Sequence, residues 1–218
     1  MHSEATTTQN VNGAQTLYDR FASLYDLTFK FNRYSRSIER YLRDNPLPLS
    51  NGARVLDAGC GTGLLTLALL RVLDRPARIT AIDLSVSSLK TAERAVTETR
   101  APRKHQVSFA QANLLALPFA DETFELIVTS GALEYVSLRE GLGELSRVLA
   151  PGGYLFHLPV RPSPFSRLLE VIFRFKTHPP REVEDSTTHY FRILDHHRFP
   201  PLEPIGWTKS ALLAQKQS

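Results

Sequence analysis

Three glycines at alternate positions, Gly59, Gly61 and Gly63, follow an acid, Asp57, at the end of the short apolar run Arg54 to Ala58. A leucine-rich stretch, Leu64 to Leu73, comes directly after them. Glycine permits positive φ and lets a ligand approach the backbone closely. A turn of this kind after the first strand of an open α/β sheet lies where such sheets bind nucleotides. The plain alternative is a tight strand-to-helix connection with no ligand. A P-loop needs Gly-Lys-Ser/Thr at this point, whereas Leu64-Leu65 follow Gly63. A dinucleotide turn spaces its glycines G-x-G-x-x-G and sets a pyrophosphate on the helix N-terminus. Here the spacing is G-x-G-x-G. A carboxylate at Asp57 would repel a pyrophosphate and suits a ligand that carries an ammonium group.

Other reactive side chains are few. Cys60 lies within the turn and is the single cysteine of the 218 residues, which excludes an intramolecular disulfide and any site built on several thiolates. No metal is therefore expected, and a reducing cytoplasm fits. His157, His178, His189, His196 and His197 are the candidate bases. His189, beside Tyr190 in a polar stretch ahead of the last strands, is favoured by position; a surface or packing histidine is the plainer reading of each.

These residues need a frame. The apolar fraction of 42% and charged fraction of 22% are those of a globular protein, and 218 residues form one substantial α/β domain. Met1 to Thr16 is polar and reads as a flexible leader without secretory character. Leu17 to Arg43 has helical spacing, with Phe21, Leu24, Phe31, Tyr34, Ile38 and Tyr41 on one side. Asn45-Pro46-Leu47-Pro48 ends it. Strands are expected at Arg54 to Ala58, Arg78 to Asp83, Val107 to Gln111, Phe124 to Ser130 and Tyr154 to Leu158, with a closing strand within Trp207 to Gln215. Helices fall between them at Leu64 to Leu73, Val86 to Thr99 and Leu138 to Leu149. This alternation argues for a mostly parallel, doubly wound sheet with helices on both faces. The expected organisation is a leader and N-terminal helical cap over 1–50, a core over 51–160, and a substrate-facing insertion with closing strands of the same domain over 161–218.

As a set, the motifs resemble those of the class I S-adenosylmethionine-dependent methyltransferases, small-molecule type. Val55 to Gly63 is similar to the family's first motif, and Ala81-Ile82-Asp83-Leu84-Ser85 to the end of its second strand. Gln111-Ala112-Asn113 with Leu117-Pro118-Phe119-Ala120-Asp121 resembles the third motif. Phe124 to Val128 resembles the fourth strand, and Arg147 to Gly153 the approach to the fifth. The resemblance implies a Rossmann-like seven-stranded sheet and S-adenosylmethionine as cofactor, which carries an ammonium and a sulfonium and no phosphate. It implies that the turn, with Gly59, Cys60, Gly61 and Gly63, holds the methionine moiety while Asp57 faces its amino group through water. Asp83 would take the ribose hydroxyls, Leu84 would pack on adenine, and Asn113 and Leu114 would border it. The backbone of Ser130 or Gly131 would line the methionine end. Asparagine departs from the commoner aspartate at position 113, and its carbonyl accepts the same bond without charge assistance. Two local alternatives stand beside these roles: Asp83 or the better-placed Ser85 as a helix N-cap, and Asn113 as a turn residue.

Tyr18 to Asp26 resembles the family's Tyr-Asp-x-x-Ala-x-x-Tyr-Asp opening, which places Tyr18 near the cofactor and Tyr25 near the reacting groups. An aromatic face stabilises a sulfonium. A basic stripe, Lys30, Arg33, Arg36, Arg40 and Arg43, is either a solvated face or a contact with an anionic membrane surface. The apolar, basic segment Phe165 to Phe175 can wall a pocket or dock on lipid. Methyl transfer asks the protein mainly for positioning and for a site shielded from water, with a base only where the acceptor must lose a proton. Nucleic acid is disfavoured as acceptor, because Thr129-Ser130-Gly131-Ala132-Leu133-Glu134 stands where an Asn/Asp-Pro-Pro-Tyr/Phe tetrapeptide would. The expected acceptor is a small hydrophobic molecule, methylated on O, N or C, with a quinone or phospholipid acceptor at a membrane surface as the alternative. The rivals from other classes are an NAD-dependent oxidoreductase and a cofactor-binding scaffold without catalysis.

Overall fold

The computed structural model describes residues 34–99 and 104–217. Helix α1 (Tyr34–Asp44) buries Tyr34, Ile38, Tyr41 and Leu42, the face its spacing predicts. The part of this helix expected from Leu17 onward lies outside the described residues. The core then alternates through β1 (Ala53–Ala58), α2 (Leu64–Val72), β2 (Ala77–Asp83), α3 (Val86–Glu98) and β3 (Gln106–Gln111). It continues with β4 (Phe124–Ser130), α4 (Leu138–Val148) and β5 (Leu149–Leu158), then α5 (Pro164–Phe173), α6 (Pro180–Thr188), β6 (Phe191–His197) and β7 (Ala211–Lys216).

The seven strands form one sheet in the order β3-β2-β1-β4-β5-β7-β6. Strands β3, β2, β1, β4 and β5 run parallel, while β7 is antiparallel to both its neighbours. The sequential winding reverses between β1 and β4, and the carboxyl ends of these two strands flank a switch-point crevice. Alternation along each strand feeds two cores. Val55, Val128, Phe156 and Leu213 pack with α1 and α2 on one face. Leu56, Ile127, Leu155 and Leu212 pack with α4 and with Val183 of α6 on the other. The fold class is therefore the doubly wound one expected, and residues 34–50 and strand β7 contribute to its first core.

Three elements differ from their expected bounds. Strand β5 starts at Leu149, which pairs with Phe124, and its register shifts before Tyr154 meets Leu126. Pro151-Gly152-Gly153 thus bulges within the strand and does not precede it. Closing strands are expected over 161–218, but the sequence does not place β6, because the polar residues Arg192, Asp195, His196 and His197 obscure its weak alternation. The closing strand is Ala211–Lys216, and Pro204–Trp207 forms a 3-10 turn ahead of it.

Candidate functional site

Asp57 reaches the site because β1 is central in the sheet and its carboxyl end opens at the crevice. Its side chain is fully buried. Thr66 Oγ1, from the first turns of α2, donates to Asp57 Oδ2 at 2.5 Å. Oδ1 has no hydrogen-bond partner among the described residues. Burial pushes the carboxyl up to about 7 against the opposing Thr66 bond, and the nearby Asp83 charge adds to the rise.

The backbone then turns through positive φ at Gly59 (73°), Gly61 (52°) and Gly63 (92°). A Cβ at Gly59 would lie 2.3 Å from that of Ala132, so the segment after β4 sits directly on this turn. Gly63 caps α2 and backs onto α3, where a Cβ would come within 3.1 Å of Ala92. Cys60 is buried beside the turn, and burial raises its thiol well above the ordinary range, followed by the Asp57 and Asp83 charges. It therefore stays protonated and serves as packing, not as a nucleophile.

Asp83, at the carboxyl end of β2, accepts from Gly61 N–H at 2.8 Å through Oδ2 and from Ser85 N–H at 2.9 Å through Oδ1. Its carboxylate thereby ties the glycine turn to the start of α3. Ser85 is the N-cap of α3, its Oγ accepting from Ser88 N–H at 3.2 Å. Leu84 is exposed at the mouth of this crevice, with its carbonyl accepting from Gln111 Nε2 at 2.8 Å. Asn113 Oδ1 accepts from Leu115 N–H at 3.0 Å, which is the turn contact its side chain can make locally. Leu114 is half-buried beside it, and Ser130 is half-buried at the end of β4.

The structure thus brings Asp57, Gly59, Cys60, Gly61, Gly63 and Asp83 together, with Leu84, Asn113, Leu114 and Ser130 on the same end of the sheet. Tyr18 and Tyr25 lie outside the described residues, as do Lys30 and Arg33 of the basic stripe. Of that stripe, Arg40 pairs with Glu203, and Arg43 with Glu39 at 3.3 Å. His189 requires a correction. It is exposed, with Arg139 Nη2 at 3.3 Å from its Nε2, and it introduces β6 at the end that starts beside the opening of β5. No described contact joins it to the glycine turn, so its place does not suit the base it was expected to be.

Sequence reasoning missed two buried charges near the crevice, Glu134 just after β4 and Lys209 just before β7. The available signal was a lysine at the mouth of the apolar run Ala211-Leu212-Leu213-Ala214.

An open α/β sheet with a glycine turn between two carboxylates is the arrangement that the resemblance to class I S-adenosylmethionine-dependent methyltransferases implies. Residues 55–153 match the family model described as a methyltransferase domain. The chain is 33% identical over 141 residues to a 2-phytyl-1,4-naphtoquinone methyltransferase of Thermosynechococcus vestitus, covering 64% of this chain and 60% of that protein. It is 29% identical over 198 residues to a demethylmenaquinone methyltransferase of Lactiplantibacillus plantarum, covering 83% and 82%. A putative methyltransferase solved with the Haloferax volcanii Trm112 activator superposes with a TM-score of 0.74 at 17% identity, over 92% of this chain and 98% of that one. The geranyl diphosphate C-methyltransferase of Streptomyces coelicolor gives 0.65 at 17% identity, over 83% and 76%. Residues 55–153 thus belong to the methyltransferase domain family, on a fold shared with S-adenosylmethionine-dependent methyltransferases.

Proposed function

We propose that the chain methylates a small hydroxylated aromatic molecule of quinol type, with S-adenosylmethionine as donor. The observation that carries this reading is the buried Asp57 Oδ1 left without a partner beside a turn of bare backbone. The residues present fit that cofactor. Asp57 offers a carboxylate oxygen to an ammonium group, and Asp83 offers both oxygens to vicinal hydroxyls. Leu84 supplies an exposed apolar face for adenine, with Asn113 and Leu114 at its border. The backbone at Gly59, Gly61 and Ser130 frames the remaining end, with Tyr18 assigned to close over it. When bound, the cofactor supplies a methyl group already activated by its sulfonium. The chain's own part is to orient the two reactants and exclude water.

The quinol class rests on relatives named as a 2-phytyl-1,4-naphtoquinone methyltransferase and a demethylmenaquinone methyltransferase. Among the described residues no group of side chains could hold a metal ion, and no helix is long and apolar enough to cross a membrane. Peripheral contact with a membrane is the second part of the reading. Helix α5 favours it over the basic stripe, since Leu168, Val171 and Ile172 are exposed on one helical face, with Arg167 and Arg174 beside them.

Calorimetric titration with S-adenosylhomocysteine, with NAD as control, tests the cofactor. Transfer of labelled methyl to a demethylated naphthohydroquinone, with a phospholipid as competitor acceptor, tests the substrate class. Micromolar binding of S-adenosylhomocysteine alone and labelling of the quinol are expected. Preference for NAD would reject the reading outright, and cofactor binding without turnover on any acceptor would leave a scaffold.

A further inference from the structure

Four ionisable side chains gather beyond the glycine turn, toward the carboxyl ends of β4 and β5, in surroundings that leave them short of partners. His157 is 1%, Lys209 3%, Glu134 4% and His178 8% exposed. They come from β5, the approach to β7, the turn after β4 and the approach to α6. Glu134 Oε1 accepts from Val160 N–H at 2.5 Å, and its backbone carbonyl accepts from Lys176 N–H at 3.1 Å. His178 Nδ1 lies 3.0 Å from Glu182 Oε1. Glu134 Oε2, Lys209 Nζ, both ring nitrogens of His157 and His178 Nε2 have no hydrogen-bond partner among the described residues.

The Lys209 and Glu134 pair is the telling one. Val160 pairs with Lys209 across an isolated bridge and donates its N–H to Glu134, so both charged residues flank one stretch of backbone. A buried ammonium beside a buried carboxylate ordinarily closes on it, because each alone costs several kcal/mol. Here Oε2 and Nζ stay apart. A fold that only needed packing would fill these positions with apolar side chains at lower cost. Polar groups held buried, converging and unsatisfied are what a binding site offers a polar ligand.

Place and shape agree. The turn that carries Glu134 also carries Ala132, which touches Gly59, so the cluster adjoins the cofactor crevice. Tyr135 stands next to it, 5.8 Å from Phe175 between ring centres and partly exposed, a surface on which an aromatic acceptor can lie. A cleft of about 30 Å³ opens alongside, lined by Val160, His178, His196, Arg198 and Ser210 and not by Lys209, Glu134 or His157 themselves.

We propose that this cluster is the polar end of the acceptor site, with Lys209 as counter-ion to an ionised hydroxyl of the acceptor. The proposal rests on the hydroxylated aromatic reading above and adds the residues that recognise it. Burial lowers the Lys209 amine, and the nearby Glu134 carboxylate opposes that shift. Burial, then the Lys209 and His178 charges, hold His157 neutral with a value of about 3, so it can donate or accept a hydrogen bond without adding charge.

The test uses the full chain saturated with S-adenosylhomocysteine and 4-nitrophenol as probe, its phenolate followed by absorbance. The wild type should bind the phenolate, and Lys209→Met should weaken that binding about 10- to 100-fold, the loss of one charged hydrogen bond. S-adenosylhomocysteine affinity should be retained. Equal phenolate binding by both proteins would overturn the proposal. So would a wild type that binds no phenolate, or a Lys209→Met protein that melts lower and loses S-adenosylhomocysteine. Quinol turnover is scored separately. Turnover unaffected by Lys209→Met rejects this inference alone, whereas Lys209-dependent phenolate binding without quinol turnover keeps the oxyanion site and rejects the quinol.

Discussion

Asp57 concentrates the site's electrostatics in one carboxyl. In the free protein, burial raises it from 3.8 to about 7, so near neutrality it is only partly ionised. A cofactor ammonium at Oδ1 favours the ionised form. Binding then releases a proton whenever the pH lies below about 7, and affinity must rise with pH up to that point. We predict that S-adenosylhomocysteine binds more tightly at pH 7.5 than at pH 5.5, with the slope flattening near pH 7, and that Asp57→Asn binds weakly with no such slope. Calorimetry across that range checks it; a wild-type affinity independent of pH would place the ammonium elsewhere. The carboxylate and its three glycines were legible in the sequence because they are contiguous. The local geometry was not. That Asp83 ties down Gly61, and that Asn113 serves Leu115, depend on how the backbone closes around them.

At the scale of elements, the connection from β3 to β4 frames one side of the crevice and is held by α4. Arg147 donates to Glu144, Asp121 and the carbonyls of Leu117 and Phe119, while Glu144 accepts from Leu117 N–H at 2.7 Å. One planar guanidinium thus pins the segment that carries the third motif. Arg147→Lys cannot repeat this fan of bonds. It should cost about 1.5–3 kcal/mol, lowering the melting temperature by several degrees, while cofactor affinity falls only modestly. A melt identical to wild type would show the segment to be held by its apolar contacts alone. Sequence patterning found the elements that are apolar and regular, β1, β2, β4 and α2 among them. It did not place β6, an edge strand whose partly exposed face carries His196 and Arg192, and it misjudged β5, whose bulge reads locally as a stop. In both places tertiary pairing outweighs local composition.

For the whole molecule, two buried groups on different strands oppose each other as pH changes. His157, on β5, falls from 6.5 to about 3 because it is buried, with the Lys209 and His178 charges adding to the effect. Between those values the unfolded chain binds the extra proton, so this residue makes stability rise with pH. Asp57, on β1, moves from 3.8 to about 7, and there the folded chain binds the extra proton, so stability falls as pH rises. The two windows overlap almost completely, and the shifts are of similar size and opposite sign. Glu144 and Glu170 do not disturb the balance, since bonds from Arg147 and Thr177 hold both below 4.5 and confine their effect to more acid conditions. His105, also lowered from 6.5 by burial, adds to the rise on the side of His157, so the wild-type melting temperature should change little between pH 4.5 and 6.5, with a slight rise. His157→Gln should expose the Asp57 slope, with stability falling as pH rises, and Asp57→Asn should expose the reverse. Thermal melts of the three proteins across that interval decide the matter. If both variants keep the wild-type profile, neither group is held in the protonation state that its burial dictates.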